Sequence, residues 1–172
     1  IKEGKTMLDY NNQQDWPNGF GGQQSPIEIH TNKLEIVHQP LPFIPKSKYT
    51  LHQEINDQTT IRLTGSGQAE IFGRDFSFQQ VHFHSQSEHV IDGKHYPLEV
   101  HLVHQNEIGQ LVVVALMVQE GAPSENFKQI IDHFDAAETH PVDLDITDWL
   151  NFSGKGFHYL GSLTTPPLQE GV

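Results

Sequence analysis

Cysteine is absent from this chain of 172 residues. Its absence excludes disulfide bonds and thiolate metal sites, so histidine and carboxylate side chains form the remaining pool of metal ligands. The sequence contains 12 histidines and 22 acidic residues from which such a site could be built. The lack of cysteine therefore restricts the ligand chemistry, while it leaves the cellular compartment open.

Basic residues are also scarce, with 10 Lys and Arg against 22 Asp and Glu and a formal net charge of −12. Nucleic acids and anionic membrane surfaces are bound through clustered cations, so this composition disfavours both partners. The apolar run Leu111–Val118 is too short to cross a bilayer, and the sequence predicts no membrane span. A small or neutral ligand fits this charge balance better.

The sequence shows no internal repeat, no low-complexity tract and no linker between two hydrophobic segments. Its length is that of one domain, and we predict a single domain over residues 1–172. The sequence begins at Ile1 and shows no signal-peptide pattern. We therefore expect a mature or trimmed product.

Short runs of alternating apolar residues, separated by glycine-containing turns, predict a mainly β, mostly antiparallel fold. The runs lie at residues 59–63, 69–72, 76–84, 98–104 and 111–118. The last run is apolar on both faces and is predicted to be a central strand. The clearest helix is predicted over residues 125–138, with Ser124 as its N-cap. Its apolar stripe is expected to face the core and consists of Phe127, Ile130, Ile131 and Phe134.

The pattern His82-Phe83-His84 carries the strongest chemical signal in the chain. Side chains alternate between the two faces of a strand, so His82 and His84 share one face and Phe83 points to the other. A third histidine from a neighbouring strand would complete a three-histidine set that leaves one tetrahedral position open, as in catalytic zinc sites. The pattern therefore predicts a metal site with room for a substrate.

The run Glu99-Val-His-Leu-Val-His104 offers two candidates for the third ligand. His101 and His104 are three residues apart and must face opposite sides of a strand. His104 shares its face with apolar neighbours, whereas His101 lies between Glu99 and Val103 on a face that needs polar partners. We therefore assign His101 to the metal and His104 to a structural hydrogen bond.

Around these ligands, an ordered set of motifs resembles the α-class carbonic anhydrases, and the resemblance runs from about Tyr10 to the last residue. The motifs are Gln23–Ile27, His82–His84, Ser87–His89 with Asp92-Gly93, Tyr96–His104 and Gly161–Pro167. The sequence of residues 85–89, Ser-Gln-Ser-Glu-His, resembles that of the bacterial branch of the family. The resemblance implies a large, twisted, mostly antiparallel sheet with a few short peripheral helices and a zinc ion in a conical cleft.

The same resemblance implies the reaction, the hydration of carbon dioxide to bicarbonate by a zinc-bound hydroxide, and thus a zinc lyase. Zinc lowers the pKa of a bound water to about 7, a value for which carbonic anhydrase is itself the reference case. By resemblance, Gln80 and Glu99 hold the ligands His82 and His101. Also by resemblance, Thr164 donates a hydrogen bond to the buried Glu88 and accepts one from the hydroxide, which orients the hydroxide towards the substrate.

Further positions are assigned by resemblance alone. Thr165 would help to place bicarbonate in a pocket for neutral carbon dioxide whose other members are Val103, Val113, Leu163 and Val172. His89 and Tyr159 match residues that brace the wall of the active site, and both are interpreted as structural. We expect carbon dioxide and bicarbonate as the small-molecule partners.

Two features depart from the family pattern. Thr59 stands where many fast members carry a proton-shuttling histidine, and threonine cannot store a proton near neutral pH. His52 is nearby in sequence, but the shuttle residue stays unassigned.

Relatives continue beyond the position of Val172 with a further strand and a C-terminal segment, so the C-terminal part of the fold is expected to be missing. An unpaired strand edge would favour a homodimer.

The bacterial relatives are mostly exported, which suggests that this protein lies in the periplasm or on the cell surface, or that it is secreted.

Two alternatives remain open. The spacing from His82 and His84 to Glu88 and Gly93 also resembles the first motif of cupin metalloproteins, in which Glu88 would bind iron or manganese. A carbonic-anhydrase-like binding module with impaired catalysis is the second alternative. The complete set of three histidines with Thr164 and Glu88 favours the enzyme over the binding module.

Overall fold

A long strand at the centre of the chain organises the fold. The computed structural model describes residues 10–16, 21–56, 60–134, 139–151 and 156–172. In these residues one α-helix, α1, spans Glu125–His133, and 3-10 helices span Tyr10–Asp15, Thr31–Lys33 and Thr147–Leu150. The strands are β1 (Glu28–Ile29), β2 (Phe43–Pro45), β3 (Thr50–Asn56), β4 (Ile61–Ser66), β5 (Gln68–Ile71), β6 (Arg74–His84), β7 (Val90–Ile91), β8 (Leu98–Gln105), β9 (Leu111–Val118) and β10 (His140–Asp145).

Eight of these strands form one antiparallel sheet around β6. One edge of β6 pairs with β5 near its start and with β4 near its end, while the other edge pairs with β8 along most of its length. Strand β3 continues the sheet from β4 to β10, β2 pairs with β5, and β9 pairs with β8. The short strands β1 and β7 form a separate parallel pair. The predicted fold class, a mainly β protein with a large antiparallel sheet, is confirmed.

A register shift between Phe78 and Gln80 decides which side chains of β6 face the core. Before the shift, Phe76 and Phe78 are buried, and after it the buried position is Val81. An extra residue in one strand changes the parity of the alternation, so a bulge lets both halves of β6 contribute to one core. Gln80 and the two histidines that follow at alternate positions therefore lie on the opposite face.

The helix begins where the sequence predicts. The Ser124 side chain accepts a hydrogen bond from the backbone N–H of Phe127, as an N-cap does. Phe134 has an extended conformation with ψ 116°, so α1 ends at His133, five residues before the predicted end; residues 135–138 lie outside the described part. Ile130 is 2% exposed, but Ile131 is 65% exposed. The prediction that the whole stripe faces the core was therefore wrong for its later members, because the short helix presents only one narrow face to the sheet.

The bounds of β9 match the predicted run. Among the described residues β9 pairs with β8 along its whole length, and no second partner strand is found there. All eight of its residues are half-buried. Its central position in the sheet stays a prediction.

The two faces of the sheet have different roles. Leu63, Val81, Val100 and Leu102 are almost fully buried on one face, where Phe83 packs against Phe127 of α1 with ring centroids 5.8 Å apart. The other face carries Gln80, His82 and His84 of β6 and Glu99 and His101 of β8. No helix in the described part of the chain is long and apolar enough to cross a membrane.

Candidate metal centre

Two neighbouring strands bring three histidines together on the polar face of the sheet. His82 on β6 lies directly opposite His101 on β8, and His84 follows on the same face of β6. One ring nitrogen from each residue lies within 4.8 Å of the other two. His101 is buried and the other two are half-buried. The arrangement therefore presents three imidazoles to one point.

The hydrogen bonds of the outer ring nitrogens determine which atoms face that point. Nε2 of His101 lies 2.6 Å from Oε1 of Glu99, and Nδ1 of His82 lies 3.0 Å from Oε1 of Gln80. An ionised carboxylate only accepts hydrogen bonds, so Nε2 of His101 donates and its Nδ1 carries a lone pair. The same holds for His82, whose Nε2 lies 3.3 Å from Nδ1 of His101.

Two lone pairs that face each other at this distance repel unless a cation lies between them. Nε2 of His84 completes the group, since it is buried and has no hydrogen-bond partner among the described residues. Three imidazole ligands, two of them with the tautomer fixed by an acceptor behind the ring, match the ligand set of a catalytic zinc site. The residues present therefore fit a zinc ion.

Burial of His84 and the hydrogen bonds of Glu99 keep these two groups in the protonation states that metal binding needs. Burial lowers the pKa of His84 to about 4, and the neighbouring His101 adds to this effect, so His84 is neutral at pH 7. Burial by itself would raise the pKa of Glu99, but the hydrogen bonds from His101 and His89 outweigh it and hold that pKa below its usual range. Glu99 is therefore an anion that balances part of the charge of a bound cation.

Glu88 lies beside the three histidines without joining them. Its Oε2 is 3.5 Å from Nε2 of His84 and 3.9 Å from Nδ1 of His101. Burial raises the pKa of Glu88, and the nearby His101 and a hydrogen bond with Thr164 partly oppose this shift. Glu88 and Thr164 also line a cavity of about 500 Å³ that extends to Trp16.

A closed loop presents Thr164 to the site. The backbone N–H of Leu163 donates to the carbonyl of Gln169, and that of Gly161 donates to the carbonyl of Val172, over 3.0 and 2.8 Å. Thr165 lies within this loop, where its carbonyl accepts from the N–H of Leu168 at 2.9 Å. These bonds hold both threonines in one loop beside the sheet.

A chain of hydrogen bonds connects the metal centre to this loop. Nδ1 of His89 lies 2.6 Å from Oε1 of Glu99, and its Nε2 lies 2.6 Å from the hydroxyl of Tyr159. That hydroxyl donates to Oγ of Ser25 at 2.8 Å, and the N–H of Ser25 donates to Oγ of Ser162 at 2.9 Å. His89, Glu99 and His101 also lie close enough to hold a metal, but their 2.6 Å contacts are hydrogen bonds.

Sequence reasoning placed His89 and Tyr159 near the site but missed the roles of Ser25 and Ser162. These two serines are 137 residues apart in the chain, and no local pattern indicates that they meet. The presence of Ser25 in the motif Gln23–Ile27 is the one signal that singled out its segment.

The assigned substrate-pocket residues divide between the sheet and the loop. Val103 and Val113 lie opposite each other on β8 and β9, in the row next to His101, and both are half-buried. Leu163 and Val172 belong to the loop and are also half-buried. An apolar wall thus adjoins the three histidines on the side of β9.

The remaining candidates lie away from this point. His104 is fully buried on the core face, with Nε2 3.0 Å from the hydroxyl of Tyr49. His52 is exposed, and its Nε2 lies 2.8 Å from Oγ of Ser66. Thr59, the expected position of a proton shuttle, lies outside the described residues.

Comparisons with known proteins point to one family. The sequence profile of the eukaryotic-type carbonic anhydrases matches residues 11–172. The chain is 39% identical to a carbonic anhydrase of Pectobacterium atrosepticum over 158 residues, which cover 88% of this chain and 64% of that relative. The chain thus spans less than two thirds of that relative's length.

Solved structures agree with this finding. The fold is similar to the α-carbonic anhydrase of Photobacterium profundum, with a TM-score of 0.81, 30% identity, and coverage of 95% of this chain and 79% of that one. It is also similar to the α-carbonic anhydrase of Thermovibrio ammonificans in complex with the inhibitor sulfanilamide. That match has a TM-score of 0.80, 28% identity, and coverage of 87% of this chain and 68% of the other.

Proposed function

The chain belongs to the eukaryotic-type carbonic anhydrase family, and on this premise we propose that it catalyses the reversible hydration of carbon dioxide to bicarbonate with a zinc cofactor. The observation that carries the proposal is the convergence of one nitrogen each from His82, His84 and His101. Bound zinc supplies a hydroxide nucleophile at neutral pH, because it lowers the pKa of a water to about 7, the value known for carbonic anhydrases in general.

The chain's own residues supply orientation. Glu99 and Gln80 fix the rings of His101 and His82 through the 2.6 and 3.0 Å contacts, so those two rings need no rearrangement when the metal binds. Thr164 donates a hydrogen bond to Glu88 through its hydroxyl group. The Thr164 oxygen is therefore available as an acceptor for a hydrogen bond from the nucleophile. This contact restricts the direction of attack, which is catalysis by positioning.

The substrate pocket separates neutral from charged species. Carbon dioxide has no net charge, and the apolar side chains of Val103 and Val113 offer it a surface on which water binds weakly. Bicarbonate is charged and leaves such a surface for solvent. Thr165 lies in the same loop as Thr164 and contributes a polar group for the product.

The cupin alternative requires Glu88 as a metal ligand and a different fold. The match to the carbonic anhydrase family over residues 11–172 excludes that fold. Among the described residues, two groups of three residues have ligand atoms within 4.8 Å of one another, and neither group contains Glu88.

Metal analysis combined with stopped-flow hydration of carbon dioxide tests the proposal. We expect one zinc per chain and a hydration rate that sulfanilamide reduces. His101→Ala should abolish both, whereas His104→Ala should keep the metal in whatever fraction folds. A folded, zinc-loaded protein that does not hydrate carbon dioxide would contradict the proposal and favour the binding-module alternative.

A further inference from the structure

The chain places a positive charge one strand away from the metal centre. Arg62 on β4 is the direct cross-strand partner of His82 on β6, and His82 is the partner of His101. Directly opposed residues of antiparallel strands share a face, with Cβ atoms roughly 5 Å apart. Ile55, Arg62, His82, His101 and Ala115 therefore form one row on the polar face.

The charge of Arg62 has no acidic partner in the described part of the chain. The ion pairs found there involve lysines and histidines, although acidic residues are more than twice as numerous as basic ones. Its neighbours on the same face, Ile55, Thr64 and Gln80, are uncharged. Arg62 is half-buried, and its Nε is buried with no hydrogen-bond partner among the described residues.

Such an arrangement is costly unless an acceptor binds. Arginine stays protonated at all relevant pH values, and a buried donor without an acceptor loses its hydration without compensation. The carboxylates beside the three histidines are committed elsewhere, since Glu99 accepts from His89 and His101 and Glu88 bonds to Thr164. Glu54 pairs with Leu63 and therefore lies on the opposite face of the sheet from Arg62. Among the described residues, Arg62 is therefore a donor without an acceptor, on the same face of the sheet as the three histidines.

We propose that Arg62 forms a binding site for small oxyanions beside the three histidines and holds bicarbonate there. The inference deepens the proposed function and rests on it, because hydration turns a neutral substrate into an anion. The planar guanidinium group matches the planar oxygen pair of bicarbonate and can bind it through two hydrogen bonds. A local cation also offsets the repulsion that a chain of net charge −12 exerts on an arriving anion.

Anion binding can be measured without turnover. Cobalt(II) in place of zinc gives visible absorption bands that change when an anion binds, and the probes are bicarbonate and thiocyanate. Arg62→Gln should raise both dissociation constants about fivefold, because it removes a charge-assisted hydrogen bond at a partly exposed site. Arg62→Lys keeps the charge and should recover most of the affinity for thiocyanate.

The matched control is Arg74→Gln, the same substitution at the other arginine of the chain. Arg74 is exposed at the start of β6 and donates to Oε1 of Gln110, away from the cleft. Its replacement should leave both dissociation constants unchanged. If Arg62→Gln does not fold, as judged by circular dichroism, Arg62→Met replaces it because it keeps the apolar stem without the charge.

The outcomes separate this inference from the proposed function. Equal anion affinities in the wild type and the folded uncharged variant would overturn the role of Arg62, even in a protein that hydrates carbon dioxide. A protein that fails to hydrate carbon dioxide but loses anion affinity with Arg62 would overturn only the proposed function.

Discussion

At the scale of single residues, Glu99 accepts hydrogen bonds from His89 and from His101, a ligand of the proposed zinc site. The two carboxylate oxygens of Glu99 accept hydrogen bonds from the His101 ring, the His89 ring and the His89 backbone N–H. Glu99→Gln replaces one of these two acceptor oxygens by an NH2 group. We expect the affinity for zinc to fall about 10- to 100-fold, as is typical when the acceptor behind a metal-binding histidine is lost. Competition with a chelator measures the affinity, and Glu107→Gln at an exposed position is the control. An unchanged affinity would show that the tautomer of His101 is held by other means.

His104 is one residue that should make the stability of the metal-free protein depend on pH, and unlike His84 it lies outside the proposed metal site. Burial lowers its pKa from 6.5 to about 4 in the folded state. Between pH 6.5 and 4, His104 is therefore protonated in the unfolded chain but not in the folded chain. Protonation favours the unfolded state, so the free energy of unfolding decreases as the pH falls through this range. The expected loss is about 2–3 kcal/mol.

Urea unfolding of the metal-free protein at pH 7.5 and 4.5 measures this contribution. His104→Gln should be less stable than the wild type at pH 7.5, because the hydroxyl of Tyr49 loses its imidazole partner. It should also lose about 2–3 kcal/mol less on acidification than the wild type does. Equal losses in both proteins would assign the pH dependence to other groups.

At the scale of secondary-structure elements, α1 stabilises the sheet through a narrow face. Ile130 is 2% exposed and its neighbour Ile131 is 65% exposed, so the two residues form an internal comparison. Ile130→Ala should lower the free energy of unfolding by about 2–4 kcal/mol, because it leaves a cavity in the core. Ile131→Ala should change it by less than about 0.5 kcal/mol.

Chemical denaturation of both variants, with zinc affinity measured in parallel, tests this assignment. The helix packs on the core face, whereas the histidines lie on the other face of the sheet. Zinc affinity of the folded variants should therefore stay at the wild-type value. Equal destabilisation by the two alanines would mean that the exposed side of α1 is covered in solution.

At the scale of the whole molecule, hydrogen bonds connect parts of the chain that are far apart in sequence. The hydroxyl of Tyr159 joins His89 to Ser25 over 2.6 and 2.8 Å. Through these contacts the loop that carries Thr164 and the segment around Ser25 are connected to Glu99 and His101. We therefore expect the position of this proposed metal ligand to depend on segments from both ends of the described chain.

Tyr159→Phe removes that hydroxyl and keeps the ring. We expect the free energy of unfolding to fall by about 1–2 kcal/mol, because His89 and Ser25 each lose a partner. Zinc affinity should fall as well, but by less than in Glu99→Gln. Tyr96→Phe, which removes a hydroxyl outside this chain of hydrogen bonds, serves as the control. A variant with reduced stability and unchanged zinc affinity would show that the connection does not reach the metal centre.

Sequence alone determined the features that depend on local alternation. The shared face of His82 and His84, the opposite orientations of His101 and His104, and the N-cap at Ser124 all follow from strand and helix geometry within a few residues. The bounds of β9 and the mainly β class follow from the same local patterns. These predictions succeeded because each depends on neighbours in the chain.

Only the tertiary structure decided the features that depend on register. The bulge at Phe78–Gln80 sets which side chains of each half of β6 face the core, and the pairing of β4 with β6 places Arg62 opposite His82. The meeting of Ser25 with Ser162 likewise requires partners distant in sequence. Alternation is a property of one strand, whereas register is a property of two, and it is selected by packing and hydrogen bonding across the assembled sheet.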